Sequence, residues 1–302
     1  MKQPLSKDKG DLIYSFCLTI PALILSITFI LIPIIDSVIK SFQKYGVKNV
    51  ISGKPGVWNN FQNYIDLFSS GSLPNAVKNT FFFVIFVIIF QFILGMALAL
   101  VLNSNLKGAR FFRSIMMTPW VVPTVISGLI WMWLFQPQYG LFKYIVTIFT
   151  GGRVTDFAML NNPKFALLGV SVAALWKQIP LMTLLLLAGL QNVPNDIIEA
   201  STIDGAGPVR RFFSIVIPYM SSVIKVAISM SIIENFKQFP LFWTMTGGGP
   251  DGATTNMAIL SYREAFVSMN LGSGAAVTSL WMLLMIVSIY LYNHLFKTHD
   301  MS

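Results

Sequence analysis

Charge is what this sequence has least of. Asp, Glu, Lys and Arg make up 11% of its 302 residues, against roughly 25% in soluble domains. So few charged groups cannot cover a globular surface, and a mean hydropathy of +0.68 points to the lipid bilayer as solvent. Cysteine is nearly absent. Cys17 stands alone, which excludes an internal disulfide framework and a Cys/His metal cluster. The two histidines, His294 and His299, sit at the far end of the chain and read as interfacial groups, not ligands, so no metal site is expected. No G-x-x-x-x-G-K-[ST] occurs, so the chain has no phosphate-cradling loop of its own. No nucleophile–base or carboxylate pair falls in a plausible soluble cleft, and no catalytic residue is assigned. Internal repeats, low-complexity tracts and a separate soluble domain are missing too. Acidic residues are scarcer than basic ones, giving a formal charge of +9. The basic residues are scattered at the ends of apolar runs, which suits anionic headgroups and argues against nucleic acid as a partner.

What the chain does have is apolar length. A spanning helix needs about 20 mostly apolar residues, and six segments qualify: Leu12–Ile35, Asn79–Asn103, Ser114–Gln136, Phe165–Gln191, Pro218–Trp243 and Leu271–Phe296. The first is longer than a signal-peptide core and no A-x-A site follows it, so it reads as a retained helix. The expectation is an all-α integral membrane protein with 1–302 as a single domain. An even number of spans puts both termini on one side. Counting Lys and Arg for orientation does not decide which side, because they divide equally between the two faces. On the face that holds the termini, Lys107, Arg110 and Arg113 are packed into a shorter segment, which favours an inside N-terminus. Pro21, Pro33, Pro119, Pro123, Pro180 and Pro240 punctuate the spans and suggest kinks around an internal path.

One linker, residues 192–217, is too polar to span and too apolar for a tether. Pro194 and Asn195 can start a helix with Asp196 and Glu199 in its first turn, where carboxylates suit the N-terminal dipole. Gly205 can stop it in the left-handed conformation. Pro208 fits the first turn of a second helix carrying Phe212, Phe213 and Val216 beside Arg210 and Arg211, and Pro218 then opens the fifth span. The residues alone describe two short helices with a fixed bend. They leave open whether these lie on the headgroups or dock on a partner.

Glu199-Ala200-Ser201, three residues, Gly205, nine residues, Ile215, one residue, Ile217-Pro218 resembles the EAA loop of binding-protein-dependent ABC import permeases, E-A-A-x3-G-x9-I-x-L-P. Ser201 and Ile217 depart from the pattern by small or isosteric changes. "IDGAG" at 203–207 is similar to the form found in carbohydrate importers. "FWTMTGGGP" at 242–250 resembles the outer loop after the fifth span of MalF-type permeases. The resemblance implies that the loop is a coupling helix pair seated in a cleft of a cytoplasmic ATPase, with Glu199, Ala200, Asp204, Gly205, Arg210, Phe212, Phe213 and Pro218 as its working residues. Glu199 would meet a basic residue of that subunit. It implies further partners: a second, MalG-like permease, two ATPase copies, an extracellular solute-binding protein and a saccharide. ATP and magnesium would belong to the ATPase, with no cofactor on this chain. The location implied is the bacterial cytoplasmic membrane, with both termini cytoplasmic.

Ionisable groups inside spans are costly and mark functional sites. Lys177 and Gln178 lie midway along the fourth span. Ser231, Glu234, Asn235 and Gln238 recur at i, i+3, i+4, i+7 on the fifth, one helical face whose hydroxyl, carboxylate and amides suit sugar hydroxyls. In the resembling permeases these regions line the substrate cavity. Gln91 and Trp131 are further candidates, the latter as a stacking platform. The structural alternative is an ion pair between Lys177 and Glu234 with interhelical hydrogen bonds. If Lys177 is instead left without a carboxylate, an acidic disaccharide becomes a candidate cargo. The rival functions are a secondary transporter using Lys177 and Glu234 as an ion relay, and a non-transport membrane scaffold.

Overall fold

The computed structural model describes residues 9–104, 108–153 and 157–296. Lys107 and His299 lie outside the described residues. By length and composition four continuous helices can cross a membrane: Tyr14–Ser41, Ser72–Asn103, Ala166–Gln191 and Leu271–Leu295. Two bent pairs bring the number to six if each counts as one span: Phe111–Val121 with Thr124–Leu134, turned by 94°, and Pro208–Tyr219 with Ser221–Phe236, turned by 71°. The fold is the all-α membrane architecture expected, apart from a two-residue antiparallel ribbon that pairs Gln43 with Trp58 and Lys44 with Val57.

The bends correct two predicted spans. The third was expected over Ser114–Gln136 as one span kinked at its prolines, and the structure shows a full break. It breaks where Val122 and Pro123 adopt extended backbone, ψ 131° and 139°, because Pro123 has no N–H to give the preceding turn. The fifth was expected to open at Pro218. Pro218 instead sits in the last turn of the preceding helix, the chain bends at Met220, and the span proper is Ser221–Phe236. It also ends early. Lys237 caps it, and Pro240 starts a separate short helix, Pro240–Met245.

The chain forms two compact units. Among the described residues, one combines 9–69 with 261–280, the other 70–260 with 281–296. In the first, Asn63 ties the ribbon region down, donating to the Ser41 and Gln43 carbonyls at 2.8 and 2.9 Å. The second holds the main core. Spans two and four pack along their length there, and the approach depends on small side chains, as membrane helix pairs do without a hydrophobic drive. Ala99, Ala173 and Ala174 are fully buried. A Cβ on Gly95 would lie 2.8 Å from Met182 Cγ.

The second span begins at Ser72, seven residues before the predicted Asn79. Its early turns are polar because they have partners in the "TGGGPDGATT" loop. Asn75 donates to the Gly252 carbonyl at 2.9 Å and Asn79 to that of Thr255 at 3.0 Å. Thr255 and Thr254 in turn donate to Gly248 and Gly249. That loop is held, not loose.

Candidate functional site

A cavity of about 340 Å³ opens inside the second unit between spans two, three, four and five. Of the residues singled out in the sequence, Gln91, Lys177, Gln178, Ser231, Glu234 and Gln238 line it. Asn235 stands directly behind them, 1% exposed. Its side chain and that of Gln178 donate to each other at 3.1 Å in both directions. Asn235 also donates to the Ser231 carbonyl at 2.9 Å, and the Ser231 hydroxyl donates to Gln91 Oε1 at 3.0 Å. Ser231 and Asn235, at i and i+4 on the fifth span, therefore join three spans through one chain of amides and a hydroxyl, while Gln238, predicted at i+7 of the same face, lies beyond the helix end at Phe236. Inside a membrane such a chain satisfies groups that would otherwise be costly to bury. It also leaves Gln178 and Gln91 at the cavity wall with hydrogen-bonding capacity to share.

The ion pair weighed as the structural alternative, Lys177 with Glu234, does not form. Glu234 is one turn from Lys237 on the same helix and pairs with it at 3.0 Å, both side chains more than half exposed. The Lys177 ammonium reaches across to the break in the third span. It donates to the Trp120 carbonyl at 3.1 Å and to that of Val122. The physical reason is local. The extended residues at the break turn carbonyls out of the helical ladder, and the end of a helix carries negative dipole charge.

Trp131 lies elsewhere. It is 8% exposed and packs among Phe135, Phe142 and Trp176 with ring centroids 5.3, 5.8 and 6.1 Å away. The aromatic at the cavity is Trp120, with Thr124 beyond the break. Sequence reasoning passed over both, though Pro119 and Pro123 beside them were visible signals.

The 192–217 linker forms two helices, Asn195–Ile203 and Pro208–Tyr219. Gly205 lies between them at φ 76°. Its N–H bonds to the Thr202 carbonyl at 3.1 Å and that of Ala206 to Ser201 at 3.0 Å, the two bonds of a Schellman stop. Arg211 Nη1 donates to the Thr202 hydroxyl at 2.7 Å and clasps the helices together. Asp204 and Arg210 line a hollow of about 240 Å³ between the helices, with Ser201 at its base. Glu199 and Ala200 are exposed on the first helix. The two phenylalanines part company: Phe212 packs against the core around Met220, while Phe213 is 65% exposed, with Ile203 and Val209 also facing out. Pro218 is exposed.

A broken-helix bundle with a polar cavity, plus a rigid hairpin presenting apolar tips, describes a membrane transport subunit. Residues 91–298 match the family model of the binding-protein-dependent transport system inner membrane component, and the chain belongs to that family. It is 35% identical to the trehalose/maltose transport system permease protein MalF of Thermococcus litoralis over 92% of this chain and 91% of that one. It is 32% identical to the sn-glycerol-3-phosphate transport system permease protein UgpA of Yersinia enterocolitica, over 90% of each. In fold it matches a chain of a crystal structure of a bacterial ABC transporter involved in the import of the acidic polysaccharide alginate, with a TM-score of 0.80, 19% identity and 97% of both chains covered. Family membership leaves the ion-coupled secondary transporter without support. The separation of Lys177 from Glu234 removes the pair that the relay required.

Proposed function

We propose that this chain is the MalF-type permease subunit of an ATP-driven importer carrying an oligosaccharide or sugar derivative across the cytoplasmic membrane. The observation that carries this is the cavity. Amides from Gln91, Gln178 and Gln238 converge there with the ammonium of Lys177, a donor and acceptor set that fits hydroxyl-rich solutes. The names of its relatives support the class. One is named for trehalose and maltose, another for sn-glycerol-3-phosphate, so kinship covers cargo with and without charge. Charge selectivity must therefore come from the site, and there Lys177 has no carboxylate partner among the described residues. An acidic saccharide, its carboxylate near Lys177, is the cargo we favour.

In this reading the chain works as one permease domain beside a second, MalG-like permease, and an extracellular solute-binding protein delivers the cargo. Two ATPase copies bind ATP and magnesium, and this chain hydrolyses nothing and needs no cofactor. The 192–217 hairpin and both termini are cytoplasmic. Glu199 and the exposed apolar tips engage the ATPase, whose closure rocks the spans and alternates access. The test is uptake by vesicles holding the complete importer. Uptake should require ATP and the binding protein. Accumulation driven by an ion gradient without ATP would sink the assignment. For cargo charge, ATPase stimulation by a galacturonate disaccharide is compared with that by maltose. Stimulation by maltose alone would retire the acidic preference.

A further inference from the structure

The position of the Lys177 ammonium gives it a second role, one that the sequence did not suggest. Its two carbonyl partners, Trp120 and Val122, come from the end of one half of the third span and the extended link to the other. Between those halves the chain turns by 94°. An ammonium carries three N–H donors. The two carbonyls take two, and the side chain also lines the cavity, which leaves one donor for a group bound there. Glu234 lines the same cavity, but its charge is answered by Lys237.

We propose that Lys177 is a positioning residue that holds the break of the third span and ties its geometry to the charge of the cargo. A carboxylate, sulfate or phosphate group on a bound solute takes the third donor. The same nitrogen then links the solute to the backbone at the break. Cargo that binds better when the break is held must, by reciprocity, hold the break more firmly when bound. A neutral sugar can occupy the cavity and use the amides, but it has no anion to pull on that nitrogen. The inference rests on the importer reading for its cargo half, while its structural half, the clamp on the break, stands without any cargo.

Spin labels at Ile115→Cys and Trp133→Cys, on either side of the break and both exposed, report its angle in the reconstituted importer with Cys17 replaced by Ser. Without cargo, Lys177→Met should shift or broaden the distance distribution, and Lys177→Arg, which keeps a cation with several donors, should restore it. In the wild type a galacturonate disaccharide should narrow the distribution and maltose should not. Lys177→Met should raise the half-saturating concentration of the acidic sugar in ATPase assays by about tenfold, the loss expected for one charged hydrogen bond, and by clearly more than it raises that of maltose. An unchanged distribution in Lys177→Met overturns the clamp. A wild-type distribution indifferent to an acidic sugar that does stimulate the ATPase overturns the link to cargo, and this arm still decides if Lys177→Met fails to assemble. If neither sugar stimulates the wild type, the saccharide cargo proposed above is what fails, and the cargo-free distances judge the clamp alone.

Discussion

At position 205 the backbone stands at φ 76°, a region where a β-branched residue is a genuine outlier. Nothing lies within 4 Å of where a Cβ would project, so a substitution there meets strain and no clash. Gly205→Val should cost about 1–3 kcal/mol locally and open the angle between the two short helices, leaving the spans untouched. The expected outcome is normal membrane insertion with ATPase binding or ATP-driven uptake lost. Glu199→Lys should reach the same end by charge, since the side chain is exposed and has no ion-pair partner to lose among the described residues. Normal transport by both variants would remove the hairpin from the coupling step. Position 205 was legible in the sequence because the stop it makes is local, closed by Ser201 and Thr202 a few residues away. Lys177 was legible only as an anomaly. Its partners are carbonyls 55 and 57 residues distant, and no side-chain pattern encodes where a carbonyl points.

The helices show the same divide between local and distant causes. Spans four and six were read to within a residue of their observed ends because apolar length alone defines them. The second was cut short by seven residues, since Asn75 and Asn79 look like the end of a helix until the loop that receives their hydrogen bonds is known. The breaks of the third and fifth spans follow from Pro123 and from the turn at Met220, yet hydropathy averages across both. The contact between spans two and four is likewise hidden, although its small residues are plain in the sequence once the partner is known. Gly95 is the test. A side chain there must displace Met182, whose Cγ lies 2.8 Å from the Cβ position, and overpacking of this kind costs about 1–3 kcal/mol. Gly95→Leu should therefore lower the thermal midpoint of the detergent-purified importer, followed by fluorescence-detected size exclusion. An unchanged midpoint would mean that the two helices can part without loss.

For the molecule as a whole, function depends on which side each loop faces. In the proposed reading the hairpin meets an ATPase from the cytoplasm, and six crossings would fix every other loop relative to it. Parity puts Ser104, after the second span, on the hairpin's side, and Ser268, before the sixth, on the opposite side. The count depends on the two bent pairs each crossing once. If the 94° turn made the third pair a re-entrant loop, the chain would cross five times and its termini would face opposite ways. Basic residues do not choose between these arrangements, because they are spread over both faces. Both serines are exposed, so single cysteines at either place are open to reagent, once Cys17, itself exposed, is replaced. On intact cells an impermeant maleimide should label Ser268→Cys and spare Ser104→Cys, and membrane permeabilisation should bring the second up to the level of the first. Labelling of Ser104→Cys alone would turn the chain over and take the hairpin away from any ATPase. Equal labelling of both before permeabilisation would mean that the third pair or the fifth does not cross, and the hairpin's side would then have to be found again from a cysteine at Ala206.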